Sequence, residues 1–253
     1  MSLVSTAVGL IITISIATTC AAATICVEDF DYYPHYDFQT PPGRGYAAEL
    51  FELFRITSGI DIRIVPLPVK RLQNTPYCVL IYPDNPQWHV ARGSDINLTF
   101  SQQVTGIIGA TVVRTGQANL TLSKLKTIAI VRGFTPDHLL TVQPEYKFKL
   151  IETKDAAAAL MMLLKNRVDA ADVEWHVAEY QLALAGFAGA VKIGQQLPIS
   201  SVGFHLSSKH NPELIREFNL FLLEHAEQVT MLKSKFNLKT IEQLKQLPDT
   251  VTN

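Results

Sequence analysis

Hydrophobic positions along this chain keep switching between two periods. TICVEDF is apolar and β-branched and reads as a strand. YAAELFELFRITSG puts Leu50, Leu53 and Phe54 on one helical face, and Gly59 stops it. IDIRIVPLP alternates and predicts a strand, PVKRLQN a short turn or helix, and YCVLIYP a buried strand. INLTF and GIIGATVVRTG predict two more strands before the polar connector QANLTLSKL. A second round starts at KTIAIVRG, where Thr135 is expected to cap a helix with Pro136 in its first turn. KFKLIET predicts a strand, DAAAALMMLLKNR a helix, VDAADVE a short strand and WHVAEYQLALAG a helix. AVKIG and SSVGFHLSS predict the last strands. Asn211 and Pro212 then open a long helix, and Thr240 with Gln243 makes a capping-box pattern for a final short one. Strands alternating with helices define an α/β protein with mostly parallel sheets.

Composition narrows the class. The chain has 253 residues, 47% hydrophobic and 18% charged, with net charge -1. That length suits one large domain or two modest lobes. With no basic run, nucleic acid is excluded as a partner. Residues 1–23 contain no Lys, Arg, Asp or Glu, and Ala21 and Ala23 satisfy the small-x-small rule, so a signal peptide cleaved before Thr24 is expected. The missing basic n-region leaves an uncleaved anchor as the other reading, and Cys20 sits in a poor lipoprotein context. Export to the periplasm or another extracytoplasmic space leaves Cys26 and Cys78 as an even pair, either a disulfide or two buried thiols. The histidines, His35, His89, His138, His176, His205, His210 and His225, show no metal-ligand spacing, so neither metal nor cofactor is expected.

Several short motifs occur in a telling order. They are Asp29, Tyr32 and Pro34; Gly45 and Tyr46; Gly133 and Thr135; Arg167, Asp169 and Ala170; and Asn211 through Leu214. Through them the chain resembles the periplasmic solute-binding proteins of amino-acid ABC transporters (extracellular solute-binding family 3, type II periplasmic-binding fold). The resemblance implies two lobes, one of residues 24–116 plus 201–253 and the other of 117–200, closing by a hinge on a ligand at the strand ends. It implies a monomer without chemistry of its own that captures an amino acid or related zwitterion for an importer.

The resemblance also implies roles for residues. An acid five positions after Asp169 would hold the ligand's ammonium, and that acid is Glu174. Asp169 reads as structural, and Asp172 as solvent-facing or a cap. An arginine before Phe100 and Ser101 would grip a carboxylate with paired hydrogen bonds; Arg92 and Arg71 are the candidates. Tyr32 would give an aromatic wall, with Tyr33 or Tyr36 behind it, and Gly133 and Thr135 would meet an anion at a helix start. Asp29 completes the set. Phe134 stands where the family carries a small hydroxyl residue, which points to a more apolar or shifted ligand surface, and QNTPY shortens a segment of lobe one. Two other functions stay open: a degenerate binding fold that docks on a membrane sensor, and a dehydratase-like enzyme on the same fold using Glu174 as acid or base.

Overall fold

The computed structural model describes residues 22–72, 75, 77–91 and 97–245. The expected signal peptide and Arg92 fall on residues outside this set, apart from Ala22 and Ala23; Ala23 already opens the first strand and pairs with Ile62.

The first lobe begins with β1 (Ala23–Glu28), the small ladder β2 (Asp31–Tyr32) and β3 (Tyr36–Asp37), α1 (Tyr46–Ser58), β4 (Ile62–Leu67), α2 (Val69–Leu72), β5 (Leu80–Asp84) and α3 (Pro86–Ala91). β6 (Thr99–Phe100) and the long β7 (Thr105–Arg114) lead into the second lobe. There follow β8 (Thr127–Val131), α4 (Asp137–Tyr146), β9 (Lys149–Thr153), α5 (Ala156–Leu164), β10 (Ala170–Glu174), α6 (Trp175–Leu184) and β11 (Val191–Ile193). β12 (Ile199–Ser208) returns to the first lobe, which α7 (Pro212–Glu224), α8 (Ala226–Lys235) and α9 (Ile241–Lys245) complete.

Main-chain pairing runs in the order β4-β1-β5-β12-β7-β10-β8-β9. Within each lobe the pairs β1 with β4 and β5, and β8 with β9 and β10, are parallel. β12 joins the lobes: Ile199–Phe204 pair with β7, and His205 and Ser207 pair with β5. The two lobes have different interiors. The first is aromatic, with Tyr36, Tyr46, Phe51, Phe54, Tyr82, Phe204 and Phe218 in one cluster. The second is aliphatic, with Val112, Leu160, Leu163 and Val173 between its sheet and α5. A third link crosses between the lobes. After α8 packs on α1, Ile241 and Leu244 of α9 reach the second-lobe core.

Local chemistry explains most element ends. Gly59 takes a left-handed φ of 69° and donates to the Arg55 carbonyl, ending α1. Asp155 caps α5 through the Ala158 N–H at 2.7 Å, and Asn211 caps α7 through the Leu214 N–H at 3.0 Å. Thr240 and Gln243 exchange the reciprocal bonds of a capping box, at 2.8 and 3.2 Å. Two expectations need correction. Thr135 caps nothing: α4 starts one residue later, with Pro136 in the cap position and no side-chain cap bond. The long C-terminal helix is broken at His225 into α7 and α8.

Gly45 shows why a glycine precedes α1. Its φ is +94°, and a Cβ there would lie 2.9 Å from both the Pro34 carbonyl oxygen and Tyr36 Cα. Gly45→Ala is therefore expected to lower stability by about 2–3 kcal/mol, because backbone on both sides cannot yield. Urea unfolding monitored by circular dichroism measures it.

Cys26 and Cys78 form a disulfide with Cα atoms 5.6 Å apart. It ties β1 to the segment before β5, above the side chains of Leu67 and Leu72. Among the described residues no helix is long and apolar enough to cross a membrane.

Candidate functional site

The strand ends β1, β10 and β8 and the loop after β1 meet between the lobes, where Glu174 is the centre. It is 5% exposed, ends β10 and caps α6 by accepting the Val177 N–H at 2.8 Å. Its other oxygen accepts the Ile108 N–H at 3.1 Å and faces His176 Nδ1 at 2.7 Å. From the first lobe, His35 brings Nε2 to 3.1 Å of the carboxylate. Neither His35 nitrogen has an aligned hydrogen-bond partner among the described residues. His176 Nε2 accepts the Lys239 N–H at 2.9 Å. Its ring proton therefore sits on Nδ1 and donates to Glu174. One carboxylate thus ties together β10, α6, β7, the loop after β1 and the segment leading to α9.

Burial alone would raise the Glu174 carboxyl, but His35 and His176 outweigh it and hold the group well below the ordinary carboxylate range. His35, Glu174 and His176 also bring one potential ligand atom each within 4.8 Å of one another. They do not fit a metal ion. Nδ1 and the carboxylate oxygen are at proton-sharing distance, and the Lys239 N–H needs the Nε2 lone pair, which leaves Nδ1 protonated.

Aromatic rings fill the space beside this cluster. Tyr32, 7% exposed, stacks on Phe134 of the opposite lobe at 5.5 Å and 10°. On its other side it stacks on His35 at 5.6 Å. Phe30 leans on Phe134 at 6.0 Å. Phe134 follows Gly133, whose φ of +92° turns the chain back toward the first lobe.

The remaining predicted residues are dispersed. Asp29 is exposed, and its N–H donates to the Leu67 carbonyl. Thr135 is exposed at the mouth, and Arg71 is exposed on α2. Tyr33 packs on Tyr180 at 4.3 Å, and the Tyr36 hydroxyl donates to Glu28. Asp169 is structural, accepting the Lys126 and Thr127 N–H groups at 2.8 Å. Asp172 is neither a cap nor solvent-facing; its carboxylate meets His138 of α4 at 2.9 Å. His35 and His176 were not singled out by the sequence reading. The signal for one was local: a histidine two positions after an acid that opens a helix. His35 carried none, because its partner is remote in sequence.

A second acid lies at the end of β1. Glu28 and Asp84 border a cavity of about 340 Å³ beside α2 and α3. Asp84 is satisfied by His89 at 2.8 Å and Ser207 at 2.6 Å. Burial pushes Glu28 up to about 7, against its bond from Tyr36 and with help from the Asp84 charge. Glu28 and Glu174 therefore act in opposite directions on pH. Glu28 holds a proton that the unfolded chain releases near 4.5, so its contribution is full below pH 4.5 and is lost as pH rises through 7. Glu174 contributes above 4.5 and loses that contribution as pH falls toward its depressed value. Stability is expected to peak near about pH 5, and Glu28→Gln is expected to flatten the decline toward neutral pH. Urea midpoints of both proteins across the pH range check this; an unchanged slope in the variant would remove Glu28 as its cause.

Comparison with known proteins adds the fold. No family model and no curated protein matches the chain. Among solved structures, the VFT2 domain of Bordetella pertussis BvgS, as a double mutant, superposes with a TM-score of 0.65 at 20% identity, over 85% of this chain and 93% of that one. An ancestral arginine-binding protein bound to arginine gives 0.65 at 17% identity, over 85% and 97%. A histidine kinase sensor domain with similarity to periplasmic binding proteins gives 0.67 at 16%, over 85% and 96%. The chain has the two-lobed periplasmic-binding-protein fold.

Proposed function

We propose that this protein is an extracytoplasmic binding-fold module that closes on its own side chains and acts by presenting the closed form to a membrane partner, a sensor of the kinase type. One observation carries the reading. The carboxylate at the position of the ammonium anchor, Glu174, already has two backbone N–H groups and two histidines on its oxygens. A zwitterion would have to displace His35 or His176 and would leave a buried imidazole without its acceptor. The Tyr32–Phe134 stack takes the place of a ligand's flat face. The histidine kinase sensor domain of the same fold supports a signalling setting.

The second reading is capture of an amino acid or related zwitterion for an ABC importer, with Asp29, Tyr32, Arg71, Arg92, Gly133 and Thr135 around it. Phe134 favours it in one respect: it is 40% exposed and follows a glycine, so it can swing aside. The arginine-bound protein of the same fold supports it too. Binding without catalysis is common to both readings.

Thermal unfolding against a panel of amino acids, polyamines, organic acids and sugars separates them, because a ligand that binds only the folded state raises the melting temperature by mass action. The proposal expects no shift with any amino acid. A saturable shift with one amino-acid class, lost in Tyr32→Ala, establishes the carrier reading instead.

A further inference from the structure

An aromatic groove lies beside the Glu174 cluster and shares His176 with it. Between α6 of the second lobe and the C-terminal segment of the first lies a cavity of about 410 Å³. Its volume is within the range of small-molecule sites. Tyr33, Trp175, Tyr180 and Phe236 line it, and both lobes contribute. Tyr33 and Tyr180 meet at 4.3 Å, and Phe236 stands edge-on to Tyr33 at 6.0 Å. These rings already receive the protein's own cations. The Arg44 guanidinium lies 4.8 Å from the Tyr33 centroid and 6.0 Å from that of Tyr180, and Lys235 Nζ is 5.4 Å from the Phe236 centroid.

The charges around the groove leave one sign uncompensated. Arg44 is held by Asp37 at 2.7 Å, and Lys235 by both oxygens of Glu49 at 2.6 and 2.7 Å. Glu179, on the groove wall, has no ion-pair partner among the described residues. Trp175 Nε1 is buried and has no acceptor among them. Aromatic faces plus one unpaired carboxylate suit an alkylated ammonium ion, for which ring quadrupoles replace hydration.

We infer that this groove is a binding site for a small organic ammonium compound. Such a ligand touches both lobes, and the groove shares His176 with the Glu174 cluster, so its binding favours the arrangement that this cluster holds together.

The test uses the full exported protein carrying Trp88→Phe, which leaves Trp175 as the only tryptophan. Choline chloride is titrated at constant ionic strength while Trp175 emission is followed, with 3,3-dimethylbutan-1-ol as its uncharged isostere. A saturable change is expected with choline, at least about tenfold weaker with the alcohol. Glu179→Gln and Phe236→Leu should each weaken choline by about tenfold, the scale of one charge-assisted contact or one ring face. Thr135→Ala, at the cleft mouth, should leave it unchanged. No saturable response, equal response to the alcohol, or indifference to Glu179→Gln overturns the inference. Failure here with no amino-acid shift in the thermal panel leaves the proposed function standing. An amino-acid shift with choline binding intact does the reverse.

Discussion

Replacing Glu174 with alanine is expected to lower stability by about 3–5 kcal/mol, the cost of breaking a buried charge pair from one side. The cost has nameable parts. His35, fully buried, loses the carboxylate that lies 3.1 Å from its Nε2, and the Ile108 and Val177 N–H groups lose their acceptor. α6 loses its cap. Because His35 belongs to the first lobe and Glu174 to the second, the lobes should also separate more readily. Glu174→Gln keeps an oxygen for the Val177 N–H and removes the charge, so it should cost less stability while still loosening the lobes. Denaturant unfolding gives the first quantity, and protease sensitivity of the β12 crossover gives the second. A loss under about 1 kcal/mol in Glu174→Ala would mean that the carboxylate is solvated and free for a ligand.

Opening the Cys26–Cys78 bridge is expected to cost almost as much. The bridge closes a loop of 52 residues, for which the chain-entropy model gives about 4 kcal/mol. Cys26 lies in a central strand of the first lobe, fully buried, so the paired Cys26→Ala, Cys78→Ala variant adds a cavity cost to the loss of the bridge. Intact-mass analysis of the protein purified without reductant should give a mass two hydrogens light, and reduction should lower its urea midpoint toward that of the variant. Two alkylatable thiols before reduction would contradict the bridge.

The fold could be read from the chain because its signals are local. Gly59 after an amphipathic run, Asn211 with Pro212, and the Thr240–Gln243 pair each specify their element end through atoms a few residues away. Misreadings came where a neighbour in space decides. The tail of YCVLIYPDNPQWHVA hides α3, and nothing periodic marks the break at His225. The site was legible only in outline. Glu174 and Tyr32 were reached through the family resemblance, and both stand at the contact between the lobes. Their partners His35, Phe134 and His176 come together through lobe packing that no local pattern encodes.

Small-angle X-ray scattering of the ligand-free protein tests the proposed self-held arrangement most directly. The expected curve fits the closed structure, stays the same when amino acids are added, and shifts to a larger radius of gyration in Glu174→Ala. An extended ligand-free form that contracts on adding an amino acid would contradict it.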